Sequence, residues 1–147
     1  MQIYVKDRRY CNKIELKPFA FGSVEEINTF RTFLKKIEMQ LPFPTSSNIS
    51  DPYIASKIFY MSKGIPFYVM KLIEEAVLFA LLYGSDCIDE TYFEKAYNKI
   101  SQAGRTFVIN PFNELDFDLD RVINTERLIE DRYKVNLINK KRKRRRK

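Results

Sequence analysis

The chain has 147 residues, 45% of them apolar and 14% aromatic, which is typical of one globular domain with or without a tail. It contains no histidine and only two distant cysteines, Cys11 and Cys87, which excludes Ser–His catalysis, histidine metal ligands and a four-thiolate zinc site within the chain. The net charge of +7 comes from residues 140–147, which are all basic, because the rest of the chain has 18 basic and 19 acidic residues.

Residues 1–21 have an extended pattern. Ile14 and Leu16 alternate with charged residues, and Pro18 ends the alternation. The pattern predicts a short strand without a sheet partner in this chain, which would be mobile or would pair with another chain. No apolar secretory segment opens the sequence, so we expect a cytoplasmic protein.

Two helices are predicted next. Ser23 and Glu26 form a capping-box pattern before apolar residues spaced by three and four, namely Ile27, Phe30, Leu34, Ile37 and Leu41. The second helix begins at the sequence Ser50-Asp51-Pro52. Ser50 or Asp51 can cap this helix, and Pro52 suits its first turn. Its inner side carries Ile54, Ile58 and Met61, and Gly64 ends it.

A third helix from Pro66 to about Tyr83 is predicted to be the centre of the domain. Its inner stripe, widened by Phe79 and Leu82, comprises Val69, Leu72, Ile73, Ala76, Val77 and Ala80. The longest apolar run, residues 76–83, is much shorter than the ~20 residues that span a bilayer, so we expect no membrane partner. Asp89 is the predicted cap of a fourth helix whose inner side carries Phe93, Ala96, Tyr97 and Ile100.

The signals weaken beyond Gly104. Residues 106–112 are compatible with extended structure. An acidic patch follows, formed by Glu114, Asp116, Asp118 and Asp120. Residues 121–139 fit one exposed helix. The basic run follows, and because its like charges repel it is not expected to fold alone. The sequence therefore predicts a mainly α protein, a four-helix bundle preceded by an orphan strand and followed by a polar, basic tail.

Few residues offer chemistry of their own. No glycine belongs to a phosphate-binding loop, and the pairs Glu74-Glu75 and Asp89-Glu90 are explained by surface charge and capping. The acidic residues 114–120 lack a preceding apolar strand and fit a solvated linker better than a metal site. They could attract the basic tail, an interaction that salt would screen.

The order of several short motifs resembles the C-terminal part of an AAA+ ATPase. These motifs, in residues 8–112, are R-Y…L-K-P-F, F-R-T-F-L-K-K-I-E…L-P-F, S-K-G…V-M-K-L-I-E-E-A and the closing Asn110-Pro111-Phe112. More narrowly, they resemble the TniB/TnsC-like ATPases of mobile elements, which regulate DNA transposition. The resemblance implies that residues 1–22 are the last strand and entry segment of a missing ATPase core, residues 23–112 a helical lid domain, and residues 113–147 an acidic linker, possible helix and polybasic tail.

The resemblance also implies site residues and partners. Arg9, or Arg8 in the other register, falls where relatives place an arginine that reaches a neighbouring subunit's nucleotide; an arginine that merely flanks a strand is the other interpretation. Phe67 occupies the place of a nucleotide-sensing arginine after the Gly64 turn, and Lys71 is a weak substitute. ATP and Mg²⁺ would be bound only with a complementary core, so the truncated or split chain would not hydrolyse ATP alone. The implied partners are an AAA+ core or homologous subunits, DNA and a transposase.

The basic run suggests nucleic-acid binding independently of any family. Its residues are Lys140, Lys141, Arg142, Lys143, Arg144, Arg145, Arg146 and Lys147. Contacts with several phosphates would release counterions and would not depend on base sequence. Docking on an acidic protein and nuclear import remain open. A stand-alone helical interaction module with a polybasic nucleic-acid-binding tail is the alternative to the lid.

Overall fold

The computed structural model describes residues 17–100 and 109–145, and within them the chain forms five α-helices and one short 3₁₀ segment. The helices are α1 (Val24–Glu38), α2 (Pro52–Ser62), α3 (Pro66–Leu82), α4 (Glu90–Lys99) and α5 (Leu119–Arg145), and the 3₁₀ segment Pro111–Asn113 lies between α4 and α5. The mainly α class is confirmed. Ile14 and Leu16 of the predicted strand lie outside the described residues, and the described residues contain no strand.

The predicted helix starts are confirmed by their caps. The Ser23 hydroxyl accepts a hydrogen bond from the Glu26 N–H, and the Glu26 carboxylate accepts one from the Ser23 N–H, which completes the capping box. Asp51 and Asp89 cap α2 and α4 in the same way through their carboxylates. These three helices therefore begin where a side chain satisfies backbone donors that have no partner within the helix, whereas α3 begins at Pro66 without a side-chain cap.

The core lies between α1, α2, α3 and α4. The fully buried residues at its centre come from all four helices and include Phe30, Leu34, Ile58, Leu72, Ala76, Phe93 and Ala96. Phe93 also stacks on Phe112 of the 3₁₀ segment, with ring centroids 5.1 Å apart. The predicted inner stripes of the four helices are thus largely the observed core.

The second half of α3 is not enclosed, contrary to the sequence-based prediction. Leu82, which was expected to widen the inner stripe, is 79% exposed, and Leu78 and Leu81 are about half exposed. The neighbouring helices cover only the side of α3 that carries Val69, Leu72, Ile73, Ala76 and Ala80. An apolar face of α3 therefore remains in contact with solvent.

The entry segment, residues 17–22, packs on the bundle through aromatic rings. The Phe19 ring lies 5.3 Å from that of Phe30, and the Phe21 ring stacks on Phe59 at 4.7 Å. The Phe19 N–H also donates to the Gly64 carbonyl oxygen, at 2.8 Å. These contacts join the entry segment to α1, to α2 and to the turn between α2 and α3.

The C-terminal helix α5 is longer than predicted. It begins at Leu119 and continues through six residues of the basic run to Arg145, whereas the sequence indicated a helix over residues 121–139 only. The basic residues do not have to start a helix, because they extend one that is already formed, and extension costs far less than nucleation. Lysine and arginine are also good helix formers, and cations are favourable at a helix C-terminus.

Candidate functional site

The Gly64 turn joins α2 to α3 and is sterically tight. Lys63 and Gly64 both have left-handed backbone angles, with φ of 51° and 70°. A Cβ atom at Gly64 would lie 2.2 Å from the Phe19 carbonyl oxygen and 2.9 Å from the Phe59 ring. Glycine is therefore required here for the fold, both for its conformation and for the close approach of the entry segment.

Phe67 and Lys71, the other two residues that the resemblance implies for a nucleotide lid, lie on α3. Phe67 is 68% exposed, with its ring edge against Tyr68. The Lys71 ammonium pairs with Glu74 at 3.3 Å and with Glu75 at 3.5 Å. Glu74, and then Glu75, raise the pKa of Lys71 above its ordinary value. Because two carboxylates neutralise the ammonium, this part of α3 does not attract anions. Arg8 and Arg9 lie outside the described residues.

The basic run begins on the exposed half of α5. Every residue from 131 to 140 is exposed, and residues 140–145 continue the helix, whereas Arg146 and Lys147 lie outside the described residues. No acidic residue follows Asp131 in the sequence. The last turns of α5 therefore carry positive charge that no acid further along the helix can neutralise.

The acidic residues before α5 form the start of that helix. The Asp118 carboxylate accepts the Arg121 N–H at 2.8 Å, and the Arg121 guanidinium donates to the Asp116 carbonyl oxygen at 2.6 Å. Two residues of the predicted acidic linker, Asp116 and Asp118, thus accept hydrogen bonds at the start of α5. Among the described residues, no group of three or more histidine, cysteine, aspartate or glutamate side chains is arranged to hold a metal ion. The helix thus has acids at its beginning and bases at its end.

A buried lysine joins three parts of the chain. Lys57 on α2 is 1% exposed, and its ammonium lies 2.6 Å from the Glu90 carboxylate on α4 and 3.2 Å from the Glu114 carbonyl oxygen. The same ammonium lies 4.3 Å from the centre of the Tyr53 ring. Sequence analysis missed this residue, although it is three residues after Ile54 and four before Met61, within the inner stripe.

A second buried charge was also missed. The Glu38 carboxylate at the end of α1 accepts hydrogen bonds from the Asn48 N–H at 2.7 Å and from the hydroxyls of Ser46 and Ser50. Burial by itself would raise the pKa of Glu38, but these hydrogen bonds together with Lys35 outweigh burial and hold the pKa below its ordinary value. All of its partners but Lys35 lie in the loop between α1 and α2, so the carboxylate organises that loop.

A cleft of about 250 Å³ lies between α2 and the first half of α5. Phe59, Tyr60 and Ile123 form its apolar part, and Lys63, Glu126, Arg127 and Glu130 form its polar part. The cleft combines two acids with two bases, so its charges balance and do not select the charge of a ligand. It marks the place where α5 leaves the surface of the bundle.

The comparisons with known proteins leave the family open. Neither the profiles of known protein families nor the characterised proteins give a match to this chain. The resemblance to transposition ATPases thus depends on the sequence motifs alone. In the described part of the chain, no helix has both the length and the apolar character needed to cross a membrane.

Proposed function

We propose that the chain is a helical module that binds the phosphate backbone of nucleic acid through the basic end of α5. The observation that supports the proposal is that residues 140–145 of the basic run continue α5 directly after the exposed residues 131–139, and that no acidic residue follows Asp131 in the sequence. The other residues have nearly balanced charges, so the attraction to phosphates is confined to one end of the molecule.

The expected mode of binding is electrostatic. Each lysine or arginine that contacts a phosphate releases a counterion, so affinity falls steeply as salt concentration rises. Contacts with phosphates carry no sequence information, so binding is expected to be independent of base sequence. In this proposal the bundle is an anchor for α5 and contributes little affinity.

The test compares binding of a mixed-sequence DNA duplex by the full chain and by two variants, using fluorescence anisotropy at several salt concentrations. One variant lacks residues 140–147, and the other has all eight replaced by glutamine, which keeps the length of the helix. We expect both to lose most of the affinity. For the full chain with about six to eight phosphate contacts, affinity should fall by about 10³–10⁴ between about 50 and 200 mM salt.

Two results would contradict the proposal. If either variant binds DNA as tightly as the full chain does, the bundle and not the basic run is responsible for binding. If the full chain does not bind DNA or RNA at low salt, the basic run serves an acidic protein partner or nuclear import. A third variant, with the four arginines of the run replaced by lysine, retains the charge and should bind almost as well as the original chain.

The lid of a TniB/TnsC-like transposition ATPase is the second candidate. The observation that favours it is the exposed apolar face of α3, which carries Phe67, Met70, Leu78, Leu81 and Leu82 and which a separate ATPase core or neighbouring subunit could cover. In that case the core would hold ATP and Mg²⁺, Arg8 or Arg9 would reach a neighbouring nucleotide, and the bundle would couple nucleotide state to DNA and a transposase in the cytoplasm.

Calorimetric titration of the chain with MgATP tests the lid candidate. The chain alone is expected neither to bind ATP tightly nor to hydrolyse it, because the sequence has no phosphate-binding loop. Tight binding or turnover would exclude a lid without its core. A Walker motif encoded directly upstream of the gene, in any reading frame, would support the lid candidate. The ATPase encoded there should bind the Leu81→Asp variant of this chain more weakly than the original chain.

A further inference from the structure

We infer that Tyr53 is a positioning residue that fixes the direction of α5, and with it the position of the basic run, relative to the bundle. That this position matters for nucleic acid rests on the proposed function, whereas the position itself does not. The residues that support the inference are those of the irregular segment 114–118 and the face of α2 on which this segment lies.

Residues 114–118 connect the 3₁₀ segment to α5 without regular structure of their own. All of them except Phe117 are exposed, and Leu115 is completely exposed. An irregular segment lacks the repeating hydrogen bonds that hold a helix in one conformation, so contacts with the rest of the chain have to select its conformation. The direction in which α5 starts therefore depends on the groups of the bundle that hold this segment.

The hydroxyl of Tyr53 holds the segment on both sides of Asp116. It donates to the Leu115 carbonyl oxygen at 3.2 Å, with the Glu114 carbonyl oxygen at 3.5 Å, and accepts the Phe117 N–H at 3.3 Å. A phenolic hydroxyl can donate and accept at once, because it has one proton as well as lone pairs. Tyr53 thus fixes the orientation of two backbone groups directly before the start of α5.

Tyr53 is itself held in place on α2. It lies in the first turn, directly after Pro52 and the Asp51 cap. Its ring centre lies 4.3 Å from the ammonium of Lys57, one turn later, and that ammonium donates to the Glu114 carbonyl oxygen at 3.2 Å. Two side chains one turn apart on a capped helix therefore hold three backbone groups of the segment against the bundle.

Apolar contacts hold α5 against α2 without selecting its direction as closely. The Phe117 ring centre lies 5.7 Å from that of Tyr60, and Val122 is buried in the same cluster, against which Ile123 packs. Hydrophobic attraction has no preferred direction, whereas a hydrogen bond weakens as its angle departs from linear. The apolar cluster therefore supplies attraction, and the hydrogen bonds of Tyr53 supply orientation.

The length of α5 amplifies any change of direction at its start. With 27 residues, α5 is about 40 Å long, so a tilt of about 20° at Leu119 would move Arg145 by about 14 Å. That displacement corresponds to about four base pairs along a DNA duplex. When the bundle is held in place, the hydrogen bonds of Tyr53 thus decide which phosphates the basic run can reach.

The test measures a distance across the full chain by pulsed electron paramagnetic resonance in the absence of nucleic acid. Cys11 and Cys87 are first replaced by serine. Spin labels are then attached at two exposed positions, Asn28→Cys on α1 and Asn136→Cys on α5. The chain with Tyr53 should give one narrow distance distribution. Tyr53→Phe should broaden it by several ångströms, since residue 136 lies about 25 Å along α5 from its first residue.

Two controls separate positioning from general loosening of the fold. Tyr83→Phe removes a hydroxyl from the exposed C-terminal end of α3 and should leave the distribution unchanged. A second pair of labels within the bundle, at Asn28→Cys and Asn98→Cys, should give the same narrow distribution with and without Tyr53→Phe.

An unchanged distance between α1 and α5 in Tyr53→Phe overturns the inference. Broadening that Tyr83→Phe reproduces, or that the second pair of labels shares, overturns it as well, because the effect would then not be specific to the start of α5. Failure of the chain to bind nucleic acid would overturn the proposed function and leave these distances unaffected, so the two results are distinguishable.

Discussion

At the scale of single residues, the two glycines with left-handed backbone angles differ in what surrounds them. Gly64 and Gly84 have φ of 70° and 65°. A Cβ atom at Gly64 would collide with the Phe19 carbonyl oxygen, whereas a Cβ atom at Gly84 would meet no atom within 4 Å. Alanine substitutions at the two positions therefore separate the free-energy cost of a left-handed backbone angle from the cost of the collision with Phe19.

We therefore predict that Gly64→Ala destabilises the chain more than Gly84→Ala. Both variants carry the cost of a left-handed alanine, about 1 kcal/mol, and Gly64→Ala must also displace the entry segment. We expect the total loss at Gly64 to reach about 2–4 kcal/mol. Denaturant unfolding of both variants measures the difference. Equal losses would show that the contact between Phe19 and the turn adds nothing to stability.

Glu38 predicts a component of stability that depends on pH. Its pKa in the folded chain lies below the ordinary value of 4.5, so the carboxylate stabilises the fold fully above that value, and this contribution is lost as the pH falls through the folded pKa. Glu38→Gln should cost about 1–3 kcal/mol at pH 7, because charged hydrogen bonds to Ser46, Ser50 and Asn48 are weakened.

The measurement is the free energy of unfolding of the original chain and of Glu38→Gln at pH 7 and at pH 3. The difference between them should shrink at the lower pH, because protonation of the Glu38 carboxylate removes its stabilising effect. Glu74→Gln is a matched control, because Glu74 is exposed and its removal should change stability little at either pH. A difference that is constant between the two pH values would contradict the assignment.

The ion pair between the buried Lys57 and the partly exposed Glu90 should be strongly coupled. A double-mutant cycle with Lys57→Met and Glu90→Gln should give a coupling free energy of about 1–3 kcal/mol, because the ammonium has little access to water. The same cycle at the exposed pair of Lys71 and Glu74 should give less than about 0.5 kcal/mol. Equal couplings would show that burial of Lys57 does not strengthen its pairing with Glu90.

At the scale of elements, α5 divides into a packed half and an exposed half. Asn136→Pro should unwind the exposed half, because proline removes a hydrogen bond and clashes with the preceding turn. We expect a loss of helical circular dichroism with almost no change in the unfolding midpoint of the bundle, measured in dilute solution. Asn136→Ala is the control and should retain full helicity. A lowered midpoint in Asn136→Pro would mean that the exposed half contributes to the bundle.

The sequence predicted those elements whose start and inner side are marked locally. Ser23, Asp51 and Asp89 identify three helix starts because a cap acts on the next few residues only. The exposure of Leu82 could not be predicted in this way, because periodicity shows which residues are apolar but not whether a neighbouring helix is present to cover them. The end of α5 was placed six residues early for another reason, because basic residues that would not start a helix can extend one that is already formed.

The candidate site was less predictable than the fold. The pairing of Lys71 with Glu74 and Glu75 follows from helical spacing and was accessible in principle. Burial of Lys57 was not, because it depends on Glu90 and on the Glu114 carbonyl oxygen, which are 33 and 57 residues away in sequence. The sequence does show that Lys57 is a charged residue within an inner stripe, which is a signal of a buried charge. Its partners can be identified only from the tertiary structure.

At the scale of the whole molecule, stability should decrease from the core outwards. The helices α2, α3 and α4 contribute most of the fully buried side chains, whereas residues 131–140 are all exposed. We predict that amide hydrogen exchange is slowest in these three helices and fastest in residues 131–145. In dilute solution without nucleic acid, protection of residues 131–145 equal to that of α3 would contradict this prediction.

The exposed half of α5 also has a practical consequence for anyone who purifies this protein. Trypsin cleaves after lysine and arginine, and these residues are concentrated in positions 140–147, directly after the exposed residues 131–139. Brief digestion should therefore shorten the chain from its C-terminal end while the bundle stays folded. A preparation that has been trimmed in this way would pass every test of folding and yet have lost its basic segment, so the intact mass has to be verified by mass spectrometry before any binding result is interpreted.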